Sequence, residues 1–241
     1  MKKALITGAN KSIGFETARQ LLQKEYYVYL GARDITKGNE AVAQLKSEGF
    51  DNVELLQIDV SDPSSVAEAG KKITELDVLI NNAGILGGWE QSAQTASLDV
   101  IKEVFNTNFF GAINVAQTFL DALKKSDEPR IVNVTSGLGS LTLHSDPNWK
   151  YYQVKNAAYG PSKSALNAYT IVLAYELKDT NFKINAVDPG YTQTDFNHHN
   201  GPGKVEDAAA IVVKYATIGN DGPTGKFFSK DMDGDSEESP W

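Results

Sequence analysis

The chain has 241 residues, 41% of them hydrophobic and 22% charged, with a formal net charge of −8 and no cysteine. Such a composition suits one α/β domain with a sizeable core and excludes a disordered chain. The acidic balance argues against a general nucleic-acid binder, which needs clustered Lys and Arg, and the missing cysteines remove disulfides, thiolate metal sites and thiol catalysis.

The start "MKKALITG" is basic, but its apolar run stops after three residues, too short for a secretory segment. No window approaches 18 apolar residues, so no membrane span is expected and a cytoplasmic protein is. In chain order, strand-like apolar runs fall at 2–7, 26–32, 52–59, 76–84, 130–136, 183–190 and 225–231. Helical periodicity fills 13–25, 36–48, 63–75, 97–124, 158–178 and 204–217. Asp62 before Pro63 marks a helix start, a capping side chain followed by proline in the first turn. The strands are near-continuous Val/Ile/Leu runs, as parallel strands covered on both faces require. This alternation predicts one domain over 1–241, a Rossmann-type doubly wound parallel sheet of about seven strands with helices on both faces. Right-handed crossovers then bring the strand C-termini to one edge, where ligands bind. The tail from about residue 229, "SKDMDGDSEESPW", is acidic and reads as solvated, with Trp241 as a candidate pin onto the body.

The first strand runs into "TGANKSIG" at residues 7–14. Gly8 permits a tight turn, Gly14 permits close packing, and amides at the helix start can face a pyrophosphate. Ser12 stands where a third glycine is expected, and its Cβ resists a positive φ. The second strand ends "GARDITKG", with Arg33 and Asp34 side by side. An acid there binds a free ribose 2′-hydroxyl and an arginine accepts a 2′-phosphate. Lys11 and Lys37 can join Arg33 in a basic pocket, which favours NADP(H) over NAD(H). Further on, "NAAYGPSKSALNAY" puts Tyr159 and Lys163 four apart on one helix face, with Pro161 tolerable in the first turn. An ammonium beside a phenol favours its ionised form and lowers its pKa. Ser136 ends another strand and can face the same carbonyl group as Tyr159.

With Asn108 in "VFNTNFFGAIN", these motifs resemble the short-chain dehydrogenase/reductase family over residues 5 to about 228. The family's TGxxxGxG loop matches residues 7–14, its NNAG motif residues 81–84, and its YxxxK pair Tyr159 and Lys163. Its catalytic Asn and Ser match Asn108 and Ser136, and its PG turn matches Pro189 and Gly190. "GANK" with "GARD" is similar to the NADPH-dependent carbonyl reductase branch. The resemblance implies cofactor contacts from Gly8, Asn10, Lys11, Ser12, Ile13 and Gly14, and from Arg33 and Lys37. It implies adenine contacts from Asp59 and Val60, and further contacts from Asn82, Ala83 and Gly84. Pro189, Gly190, Thr192 and Thr194 complete that set together with Tyr159 and Lys163. The implied reaction is reduction of a ketone, aldehyde or quinone, with Tyr159 as acid, Ser136 bonding the oxygen, Lys163 holding the nicotinamide ribose and Asn108 a water. The alternatives are an NAD(H)-dependent alcohol or steroid dehydrogenase, encouraged by Asp34, and a non-catalytic NADP(H) sensor. The expected partner is a small carbonyl substrate, not nucleic acid or membrane.

Three departures stand out. Ser12 replaces the middle glycine, Asp188 precedes Pro189 where the family more often has a small residue, and 23 residues separate Ser136 from Tyr159 (159 − 136). The extra piece, "LHSDPNWKYYQVKN", is expected to form a flap bearing Trp149, Tyr151 and Tyr152, or to shield the helix surface on which the family dimerises. A monomer is accordingly expected over a dimer or tetramer. The short connection after Pro189 predicts an open pocket, and His198 and His199 within it read as exposed residues with no metal.

Overall fold

The computed structural model describes residues 1–88, 91–232 and 237–241. Strand β1 (Lys3–Ile6) leads through the glycine turn into helix α1 (Ser12–Gln23). Then come β2 (Tyr27–Ala32), α2 (Ile35–Ser47), β3 (Val53–Gln57), α3 (Pro63–Gly70) and β4 (Val78–Asn81). The long helical stretch expected at 97–124 is α4 (Leu98–Phe105), a π turn (Asn106–Phe110) and α5 (Gly111–Leu123). Next are β5 (Arg130–Val134), a 3-10 turn (Gly137–Gly139), the short α6 (Leu141–Ser145) and α7 (Tyr159–Glu176). Strand β6 (Lys183–Asp188), a 3-10 turn (Asp195–Asn197), α8 (Val205–Ala216) and β7 (Phe227–Ser229) finish the order.

The seven strands form one parallel sheet in the order β3-β2-β1-β4-β5-β6-β7. Successive residues of each strand feed opposite layers. Ala4 and Ile6 pack with α1, α2 and α8, whereas Leu5 packs with α3, α5 and α7. Burial of both faces explains why the strands lack an apolar/polar alternation. Strand order reverses beside β1, so its C-terminal end and that of β4 flank the crevice where such sheets bind ligands. Asp62 caps α3 by accepting from the Ser64 amide at 2.9 Å, with Pro63 opening the helix.

The expectation of a solvated tail is corrected. Residues 233–236 lie outside the described residues, but 237–241 return to the body. Ser229 donates its amide to Glu237 O and Ser239 to Phe227 O, both at 2.8 Å, so the strap covers the open edge of β7. Trp241 stacks on Phe227 with centroids 5.7 Å apart, and its carbonyl accepts from the Thr142 amide at 3.0 Å. Ser140 Oγ donates to Pro240 O at 2.7 Å. The acidic composition hid this because its acids are used to hold the strap: Glu237 pairs with Lys214 at 2.8 Å and Glu238 with Lys226 at 2.7 Å, beside the main-chain bonds and the terminal aromatic.

Candidate active site

The glycine turn is fastened to β4 by the NNAG segment. The Thr7 hydroxyl accepts from the amides of Asn82 and Ala83, each at 3.0 Å. The Asn82 side chain donates back to Thr7 O at 2.8 Å and Gly8 O at 3.1 Å. Gly8 takes φ +65°, and a Cβ there would stand 2.9 Å from Ala83 Cα, so only glycine lets the two segments meet. Lys11, the N-cap of α1, gives the helix start no side-chain acceptor, so its amides can serve an anionic group. Ser12 does adopt the positive φ the sequence argued against, at 52°, with a strain of about 1 kcal/mol. Its hydroxyl donates to Asp195 Oδ2 at 3.1 Å, a residue 183 positions away. Lys11 Nζ stands 3.7 Å from the same carboxylate and His199 Nε2 3.1 Å from its other oxygen.

At the end of β2, Arg33 and Lys37 are exposed. Asp34 is the N-cap of α2, its carboxylate accepting from the Lys37 amide at 3.1 Å, so the acid beside Arg33 already has a structural role. Asp59 accepts from the Ser61 amide at 3.0 Å and hydroxyl at 2.6 Å, which shapes the turn carrying Val60.

The residues with chemistry meet at the C-terminal ends of β4 and β5. Asn108 lies in the π turn between α4 and α5, a local widening frequent at functional sites. It is buried, accepts from the Ile85 amide at 2.8 Å, and donates to Ile85 O at 2.9 Å and Ser162 Oγ at 3.1 Å. Ser162 in turn donates to Tyr159 O at 2.7 Å, coupling Asn108 to the first turn of α7. Lys163 is 4% exposed, donates to Val134 O at 2.8 Å and sits 5.7 Å from the Tyr159 ring centre. A Cβ on Gly84 would stand 3.3 Å from Asn108 Oδ1 and 3.6 Å from Lys163 Nζ, so these polar groups face one spot. Burial pushes Lys163 down to about 8, partly opposed by the Asp188 carboxylate.

Tyr159 corrects the sequence argument. Burial, then the Asp188 carboxylate, push its phenol up, and only the hydrogen bond from Ser136 pulls it down. The lowering anticipated from Lys163 is absent, and the cost of removing the phenolate from water sets the direction. A raised pKa keeps the proton on Tyr159, the form a general acid needs.

The short chain dehydrogenase profile matches residues 2–204, a span that holds every one of these positions. The chain belongs to the short chain dehydrogenase family. It is 34% identical to a (+)-neomenthol dehydrogenase of Capsicum annuum, over 93% of this chain and 94% of that one. It is 32% identical to a salutaridine reductase of Papaver bracteatum, over 95% of this chain and 94% of that one. Among solved structures, salutaridine reductase from Papaver somniferum superposes with a TM-score of 0.82 at 30% identity, covering 95% of this chain and 100% of that one. ElxO with NADP bound gives 0.80 at 29% identity, covering 95% and 96%.

This short chain dehydrogenase also holds residues that sequence reasoning passed over. Gln91 is buried, and its side-chain oxygen accepts from the Ala158 and Tyr159 amides at 3.1 and 3.2 Å, capping α7 where the N-cap residue does not. Its Nε2 donates to Leu86 O at 2.6 Å and Gly88 O at 2.5 Å. A lone glutamine in a loop carries no signal for that role. Phe196 packs on Tyr159 with ring centres 5.3 Å apart, so the short connection after β6 covers the tyrosine, contrary to the open pocket expected. The inserted segment reaches the same end of the sheet, with Tyr151 against Tyr191 and Trp149 against His144. Thr192 and Thr194 are buried, the former donating to Pro189 O and Gly190 O at 3.3 and 3.2 Å, the latter bonded to Asn197. His198 and His199 are exposed; among the described residues no group of His, Cys, Asp and Glu is disposed to hold a metal ion. No helix among them is long and apolar enough to cross a membrane.

Proposed function

We propose that this dehydrogenase is an NADPH-dependent reductase that converts a ketone, aldehyde or quinone carbonyl to the alcohol. The observation that carries the reading is the placement of Tyr159, hydrogen-bonded by Ser136, beside Lys163 and Asn108 at the strand ends. The preference for the phosphorylated cofactor rests on exposed Arg33 and Lys37, with Asp34 engaged as a helix cap, and NADP in the related ElxO structure supports it. Arg33 and Lys37 would hold the 2′-phosphate, and the amides at the start of α1 the pyrophosphate. Asn10, Ile13 and Gly14 would line that turn, Val60 the adenine, and Pro189 and Gly190 the nicotinamide end.

When bound, the cofactor supplies a hydride to the carbonyl carbon. Tyr159 donates its proton to the oxygen as negative charge develops there, and the Ser136 hydroxyl hydrogen-bonds the same oxygen. Lys163 would hold the ribose hydroxyls and, with Asn108, would return a proton to Tyr159 from solvent. Phe196 excludes water from the reacting face. The test follows NADPH and NADH absorbance against a panel of ketones, aldehydes and quinones, with Tyr159→Phe beside the parent protein. NADPH oxidation that vanishes in Tyr159→Phe while NADPH still binds is expected. Turnover at the parent rate in Tyr159→Phe would overturn the assignment, and tight NADPH binding with no turnover of any carbonyl would favour a sensor.

A further inference from the structure

Asp188, left without an account by the sequence, is 4% exposed at the end of β6. Its Oδ2 accepts from the Ser229 hydroxyl at 2.7 Å and its Oδ1 from the Gly190 amide at 3.0 Å, and the carboxylate also accepts from the Gly137 amide. These donors come from three separate strand ends, β5, β6 and β7. A Cβ on Gly137 would stand 3.1 Å from Asp188 Oδ2 and 3.2 Å from Trp149 Cζ2, so the carboxylate and the indole fill the space beneath the turn that follows Ser136. A small residue here would leave both amides and the Ser229 hydroxyl without this acceptor.

Other charges around Tyr159 do not cancel it. Lys163 stands on α7 itself. Asp231, beyond β7, is engaged by Lys150 at 3.3 Å and by the Tyr151 hydroxyl, and its like charge adds to what raises Asp188. His144 packs at a tilt against Trp149 with Lys155 nearby, and burial followed by that lysine push it down. Asp195 is engaged by Ser12, Lys11 and His199.

We propose that Asp188 is a positioning residue: its carboxylate pins the Ser136–Gly137 turn to the ends of β6 and β7 and sets a negative charge against the Tyr159–Lys163 pair. The inference rests on the reductase reading above. Burial and the nearby Asp231 charge raise Asp188 above the ordinary carboxylate range and its three donors only partly draw it back, so the charge it sets is that of its ionised form. An anion in this place favours the protonated forms of both Tyr159 and Lys163. Neutralising it lowers the pKa of each, so the alkaline limb of carbonyl reduction moves to lower pH whichever group sets it.

The experiment compares Asp188→Asn and Ser229→Ala with the parent protein, once loss of turnover in Tyr159→Phe has established the reductase reading. Asp188→Asn is expected to bind NADPH normally by fluorescence and to shift the alkaline limb of kcat/KM down by about one unit. Ser229→Ala leaves the acid in place but removes one of its anchors, so kcat falls about fivefold while KM for NADPH is unchanged. An unmoved limb in a folded Asp188→Asn protein, at whatever rate, overturns the electrostatic part. An unchanged kcat in Ser229→Ala overturns the pinning, and that variant decides the question if Asp188→Asn does not fold. A parent protein with no turnover removes the reductase reading and this inference together.

Discussion

The two segments that close the cleft are built on different principles. The glycine turn is held by its immediate sheet neighbour: Thr7, Gly8, Asn82 and Ala83 exchange short backbone-centred bonds across paired strands. The cover at 191–203 closes on itself through a bridge between Thr192 and Gly203, and is tied to the body by side chains from remote segments. Asp195 bonds Ser12, Asp231 bonds the Tyr191 amide at 3.2 Å, and Phe196 leans on Tyr159. Residues in the first arrangement are specified by local steric need, and those in the second by what happens to lie opposite. The difference teaches where substitution is tolerated, because side-chain contacts can be lost singly while a crowded backbone approach fails as a whole.

Tyr159 lies under the second arrangement, through Phe196, and the largest expected effect falls there. Tyr159→Phe should lower kcat by about a thousandfold or more while the cofactor still binds, measured by NADPH oxidation and fluorescence. Arg33→Ala probes the cofactor end beside the glycine turn: KM for NADPH should rise by about tenfold or more and that for NADH hardly change, and equal effects would contradict the phosphate assignment. Gln91→Ala removes a remote contact on which α7 depends. Two amides lose their acceptor, so thermal or urea unfolding should report a loss of about 1–3 kcal/mol, with kcat reduced alongside. Unaltered stability would mean that water replaces the cap.

Ser12→Gly, the smallest effect, touches both arrangements at once. Glycine relieves the left-handed strain at φ 52° and loses the bond to Asp195. NADPH affinity should stay within about threefold of the parent, or improve, while NADP⁺ dissociates faster in stopped-flow measurements. A large loss of affinity would mean that the serine hydroxyl touches the cofactor directly.

The order of strands and helices was legible from apolar runs and helical period. Both signals reflect burial on two faces of one sheet, a demand that each segment meets by itself. Helix α4 and α5 read as one stretch because a π turn leaves the apolar period almost intact, although it is this turn that seats Asn108. Ser136, Tyr159 and Lys163 were also legible, since a strand end and a helix start carry them to a known edge of the sheet. The direction in which Tyr159 shifts was not, because it depends on burial and on Asp188, and neither is encoded in the spacing of tyrosine and lysine.

Sequence alone therefore determined the doubly wound sheet, the glycine turn and the gathering of Ser136, Tyr159 and Lys163 at one sheet edge, each dictated by local periodicity, by position at a strand or helix end, or by a backbone that tolerates only glycine. Tertiary structure alone decided the return of Trp241 to the sheet edge, the capping of α7 by Gln91, the bond between Ser12 and Asp195, and the place of Asp188 beneath Ser136. Each of these joins groups far apart in the chain through one or two polar or aromatic contacts. Which donor meets which acceptor is settled only when the folded sheet brings the strand ends side by side.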